Sequence, residues 1–276
     1  MKGSNRMYKC YKLKFDEQLE ELINDYAEIG RKLMEEKRAN IYSKLESYLR
    51  DDNSIDFTAL QDDWFPTVNA DIFISHSHSD IKAVNALAGW FKEKFNVDVF
   101  IDSYIWGYCN DLLKEIDKKY CKHTNGEYFD YDKRNFSTAQ IHMILSNALN
   151  KMIDKTECVI FLETDNSLSV NNDIQKGTSS AWIYSELITT SIIRRNVPER
   201  LKSGDSEIRN FTYDLDESLK PYYRVNLSHC IDLTVEDLKN ISEETLYEEK
   251  AYLDKMYRTV KRNEQALTRK VPVLNG

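Results

Sequence analysis

The stretch ADIFISHSHSD, residues 70–80, decides the fold. Ile72, Phe73 and Ile74 form a short unbroken apolar run, as in a strand covered on both faces, and the polar string beginning at Ser75 ends it. Asp80 is placed to cap a helix that carries Ile81, Val84, Leu87, Ala88 and Phe91 at spacings of three and four. VDVFI, residues 97–101, then supplies a second strand and completes a βαβ unit, and CVIFL, residues 158–162, supplies a third. Apolar strands alternating with amphipathic helices predict an α/β domain built on a parallel sheet.

Outward from this unit, residues 108–120 and 137–153 read as helices, the second with Ile141, Ile144, Leu145 and Leu149 on one side, and residues 121–136 as an irregular insertion between them. Ser179 or Ser180 caps a helix running to about Arg195, whose terminal arginines suit the helix dipole. Residues 222–227 read as a strand. Residues 236–263 read as helical, with Leu246, Leu253, Met256 and Val260 buried. Upstream, Phe15, Leu19, Leu22, Ile23, Tyr26, Ile29 and Leu33 make residues 14–50 helical, as one helix or a hairpin bent near Gly30. Residues 51–69, acidic and turn-prone around Pro66, form a connector that pins Trp64 and Phe65 to a neighbouring surface. Three segments follow: helices and connector over 1–68, the α/β domain over 69–232, and a C-terminal helical extension over 233–276 packed on that domain.

Composition narrows the function. Eight glycines and four prolines are about a third of the usual combined share, which excludes collagen-like and linker-like chains. A net charge of −8 lacks the basic footprint of phosphate-backbone binding, so no nucleic-acid partner is expected. Five widely spaced cysteines without a CxxC motif fit reduced thiols rather than a disulfide framework. No leader and no apolar run long enough to span a bilayer is present, so a cytoplasmic protein with no membrane contact is expected.

The glycine positions exclude a GxGxxG fingerprint and a P-loop, and no HExxH, EF-hand, GxSxG or kinase signature occurs. Three stretches remain. The string from Ser75 to Asp80 lies at a strand's carboxyl end, where open parallel sheets bind ligands. Within it, His76, His78 and Asp80 spell the opening of a zinc motif, but Ile81 stands where the next histidine belongs, and no metal is expected. DSYIWG, residues 102–107, is the loop after the second strand. Its Trp106 either closes over a ligand or packs into the core. In SSAWIYSEL, residues 179–187, Trp182 and Glu186 are four apart and share a helix face, where an indole beside a carboxylate can bind a flat cation.

Together, ADIFISHSHSD, VDVFIDSYIWG (97–107), CVIFLET (158–164) and SSAWIYSEL, in this order, resemble a Toll/interleukin-1 receptor (TIR) domain of the bacterial type. The resemblance covers roughly residues 68–232. It implies a flavodoxin-like parallel five-stranded sheet flanked by helices, to which this chain adds an N-terminal helical segment. It further implies cleavage of the nicotinamide–ribose bond of NAD+, a substrate here and not a cofactor. The family's catalytic glutamate falls on Glu186, and the tryptophan one turn earlier on Trp182. Its first-strand loop, with Ser75 and His76, and its second-strand loop, with Asp102 and Trp106, become substrate-binding segments. Many relatives carry an aromatic residue or arginine near His76. The resemblance also implies self-association through the TIR domain and the added helices. It places the activity in antiphage defence or signalling, with the nucleotide product activating a partner effector.

The chemistry needs one carboxylate. Nicotinamide leaves as a neutral ring from a cationic pyridinium, so the barrier lies in the oxocarbenium-like ribose, which Glu186 can stabilise. Attack by water gives ADP-ribose; attack by a nucleophile of the same molecule gives a cyclic isomer. The alternatives are a non-catalytic TIR scaffold and a metal hydrolase on His76, His78 and Asp80.

Overall fold

The computed structural model describes residues 7–38, 45–52, 54–122, 128–170, 176–198, 223–242 and 251–269. In chain order the elements are β1 (Lys9–Lys14), α1 (Glu17–Ile23), α2 (Ala27–Arg38), α3 (Phe57–Trp64), β2 (Ile72–Ser75), α4 (Ile81–Phe95), β3 (Val99–Ile101), α5 (Ser103–Tyr120), α6 (Tyr131–Lys155), β4 (Cys158–Glu163), β5 (Ser169–Val170), β6 (Lys176–Thr178), α7 (Ala181–Ile192), β7 (Tyr223–Arg224), β8 (Ile231–Leu233), α8 (Val235–Ser242) and α9 (Ala251–Arg269).

The central sheet has five strands in the order β3-β2-β4-β1-β8, and every pairing in it is parallel. Its faces follow the period-two rule for strands. Tyr11, Leu13, Ile72, Ile74, Val99, Ile101, Cys158, Ile160 and Leu162 point to one core, beneath α1, α2, α4, α8 and α9. Cys10, Phe73, Phe100, Val159 and Phe161 point to the other, beneath α3, α5, α6 and α7. The expected α/β class with a parallel five-stranded sheet and helices on both faces is therefore present. Residues 64 and 65 are buried as expected, in the second core.

The added N-terminal segment is not purely helical. Its KCYKLK strand, β1, lies inside the sheet between β4 and β8. Three lysines hide the strand in the sequence, although Cys10, Tyr11 and Leu13 are fully buried. The sheet thus crosses both expected segment boundaries, at 68/69 through β1 and at 232/233 through β8. The strand expected over 222–227 is reduced to β7, which pairs with β6 in a separate three-stranded antiparallel sheet; residue 222 lies outside the described residues.

Gly30 marks a close crossing rather than a bend. A Cβ there would run into the backbone carbonyl of Asn85 on α4, and one on Gly89 would run into the carbonyl of Tyr26. Paired glycines let α2 and α4 touch backbone to backbone. The chain folds back after α4 through Asn96, at φ 51°, a left-handed helix cap that asparagine tolerates.

Candidate functional site

Strand order reverses between β2 and β4, since the chain leaves β2 towards β3 on one side and later returns to β4 on the other. Open parallel sheets bind ligands at the carboxyl ends of such strands. Ser75 ends β2, and Asp102 follows directly on β3. α7, capped by Ser180 through its side chain, carries Glu186 to the same place. The Ser75 hydroxyl donates to Glu186 Oε2 at 2.6 Å.

His76 turns inward beside them. Its Nδ1 lies 3.2 Å from the Ile74 carbonyl oxygen and 3.2 Å from Asp102 Oδ1, and its Nε2 lies 2.6 Å from the Ser103 hydroxyl. The structure therefore brings together Ser75, His76, Asp102 and Glu186 from the expected set, and adds Ser103. All five are buried. Burying that many polar groups is costly unless each is paired, yet Glu186 Oε1 has no geometric hydrogen-bond partner among the described residues. Burial pushes the Glu186 carboxyl well above its ordinary range, and the neighbouring Asp102 carboxylate pushes it further, while the Ser75 hydrogen bond pulls the other way. A buried carboxyl raised by desolvation and by a neighbouring negative charge is one way a catalytic acid or base is tuned.

Ser103, His76 and Asp102 line up as a serine–imidazole–carboxylate relay. The His76 side chain is fully inaccessible, so the relay as it stands holds the imidazole in place rather than offering it to solvent. Asp102 and Ser103 are neighbours in sequence, and the seryl group immediately beyond a strand-end aspartate was the available signal for the fifth residue.

The expected loop over 102–107 is instead the start of α5, which begins at Ser103. Trp106 lies in its first turns, and its side chain is outside the described residues. Trp182 is half-buried one turn before Glu186 and sits edge-on to His142 of α6, with ring centroids 5.8 Å apart. His76, His78 and Asp80 do not converge. His78 is exposed, and Asp80, instead of capping α4 with its side chain, accepts hydrogen bonds from Thr164 and Asn166 at 2.6 Å each. These bonds tie the loop after β2 to the loop after β4 across the switch point. The helix expected to end near Arg195 ends at Ile192, and Arg195 reaches back to the His229 carbonyl.

A groove of about 640 Å³ between α3 and α6, lined among others by Phe57, Gln61, Asn147 and Asp154, includes none of these five residues. The buried carboxylate pair is the better candidate, because perturbed ionisable groups mark chemistry where an open groove marks only shape. Among the described residues, no helix is long and apolar enough to cross a membrane. Compared with protein-family models, curated proteins and solved structures, the chain matches none.

Proposed function

We propose that the chain is an NAD+ glycohydrolase or ADP-ribosyl cyclase of the bacterial TIR type, with Glu186 as its catalytic carboxylate. The observation that carries this proposal is the buried Glu186–Asp102 pair at the carboxyl edge of the sheet, beside the reversal of strand order. Such a pair suits a substrate that is itself cationic. A pyridinium ring brought beside it favours the ionised carboxylate, drives off the retained proton and turns the cost of burial into attraction.

As the nicotinamide–ribose bond breaks, its electron pair goes to the ring nitrogen, nicotinamide leaves neutral, and positive charge develops on the ribose. Glu186, ionised and accepting hydrogen bonds from the ribose hydroxyls, stabilises that charge in a medium where electrostatics are strong. Ser75 holds Glu186 through its 2.6 Å hydrogen bond. Trp182 offers an aromatic face one helical turn away. Water then adds to the ribose carbon and loses a proton, giving ADP-ribose, or a nucleophile of the same nucleotide closes a ring.

Glu186 is 3% exposed, so the side chains over it must move before a dinucleotide reaches it, and the isolated chain is expected to turn over slowly. The test is to incubate concentrated protein with NAD+ and separate the products by chromatography. Nicotinamide accompanied by ADP-ribose or its cyclic isomer, lost in Glu186→Gln with the fold intact, supports the proposal. A folded chain that self-associates without releasing nicotinamide identifies a TIR-like scaffold instead.

A further inference from the structure

At the opposite end of β1 from the carboxylate pair, three soft donors meet. Cys10 Sγ lies 2.9 Å from Cys230 Sγ, and Cys230 Sγ lies 3.5 Å from His229 Nε2. The two sulfurs and one imidazole nitrogen all fall within 4.8 Å of one another. We propose that Cys10, His229 and Cys230 form a binding site for one zinc-class divalent cation. Two sulfurs and an imidazole select zinc over magnesium or calcium, which take oxygen ligands.

The donors are held by three elements. Cys10 is in the interior strand β1. Cys230 immediately precedes β8, whose Ile231 pairs with Tyr11, the residue after Cys10. His229 is fixed twice: its Nε2 lies 2.9 Å from the Thr190 hydroxyl of α7, and its carbonyl accepts from Arg195 at 2.8 Å. Thr190 also donates to the Leu187 carbonyl at 2.9 Å, so its proton stays satisfied when Nε2 turns to a metal.

Zinc ligands at about 2.0–2.3 Å from a tetrahedral centre stand roughly 3.3–3.8 Å apart. The sulfur pair therefore has to open by less than about 1 Å, within reach of small side-chain rotations. Three protein ligands leave a fourth position for water, and His229, the half-buried member, gives the approach to it. A disulfide between the two cysteines would leave the imidazole without a role. A bound cation would clamp β1 to the turn that leads into β8, beside Thr190, which lies one turn of α7 from Glu186.

The test uses the full chain without an affinity tag, fully reduced and freed of reductant under anaerobic conditions. Titration with Co2+ is expected to give one equivalent of binding with sulfur-to-cobalt charge-transfer absorption, displaced by Zn2+. Cys230→Ser and His229→Gln should each weaken binding at least about tenfold, and Cys109→Ser should leave it unchanged. X-ray absorption of the zinc-loaded wild-type chain reads the ligands without any variant, and two sulfurs with one nitrogen are expected. Absence of charge transfer in a reduced chain with its native circular dichroism, unchanged affinity in Cys230→Ser, or a sulfur-free shell around zinc would overturn the proposal.

Discussion

At the scale of the residue, Glu186 concentrates the argument for function, and its environment makes opposing predictions. Its raised pKa means that the folded chain holds a proton the unfolded chain releases. Folding stability should therefore be fully present below the ordinary carboxyl pKa, fall by about 1.4 kcal/mol per pH unit above it, and level off beyond the raised value. Glu186→Gln removes that slope, so chemical denaturation should find the variant more stable than wild type at neutral pH, with the difference vanishing in acid. The two neighbours act in opposite directions. Asp102→Asn should lower the apparent pKa that governs the rise of kcat/KM with pH, and Ser75→Ala should raise it. Matching shifts in the two variants would show that neither residue sets the ionisation of Glu186. That Trp182 and Glu186 share a face of α7 was legible in sequence from their four-residue spacing, whereas the choice of Glu186 came from the resemblance. The convergence of His76, Asp102 and Ser103 was not legible, because it depends on how two strand ends sit side by side.

At the scale of the element, periodicity located α4, α6 and α7, yet missed where α5 begins and where α6 begins, since α6 starts at Tyr131, inside the stretch 121–136 expected to be irregular. Asp102 stands at the N-cap position but has helical backbone angles and makes no side-chain capping hydrogen bond, and Gly107 inside the first turns weakens the helical pattern, so DSYIWG reads as a loop. The Gly30 and Gly89 contact was likewise invisible, since a glycine in a helical pattern signals weakness locally and close approach only in three dimensions. Ala at either position puts a methyl group into a facing carbonyl. Each substitution should cost about 2 kcal/mol or more by forcing α2 and α4 apart, measurable as a lower denaturation midpoint. A loss below about 0.5 kcal/mol, the range of ordinary surface substitutions, would show that the helices separate freely.

At the scale of the whole molecule, the sheet draws strands from both ends of the described chain. Local patterns revealed β2, β3 and β4, whose apolar runs are continuous, whereas β1, interrupted by three lysines, depends on its neighbours for its place. A chain beginning at residue 69 lacks the strand between β4 and β8, leaving β8 unpaired and one edge of β4 open. It should be insoluble or lack cooperative unfolding, and a soluble, cooperatively folding fragment would show that β1 is dispensable. The functional proposal rests on that assembled edge, and the most direct measurement is the rate of nicotinamide formation from NAD+ by concentrated wild-type chain beside Glu186→Gln. Cleavage by Glu186 predicts steady release by the wild type and a fall of at least a hundredfold, roughly the loss expected of a group that stabilises transition-state charge, in a variant of equal or greater stability. Equal rates in the two proteins, or no release from folded wild-type chain, would contradict it.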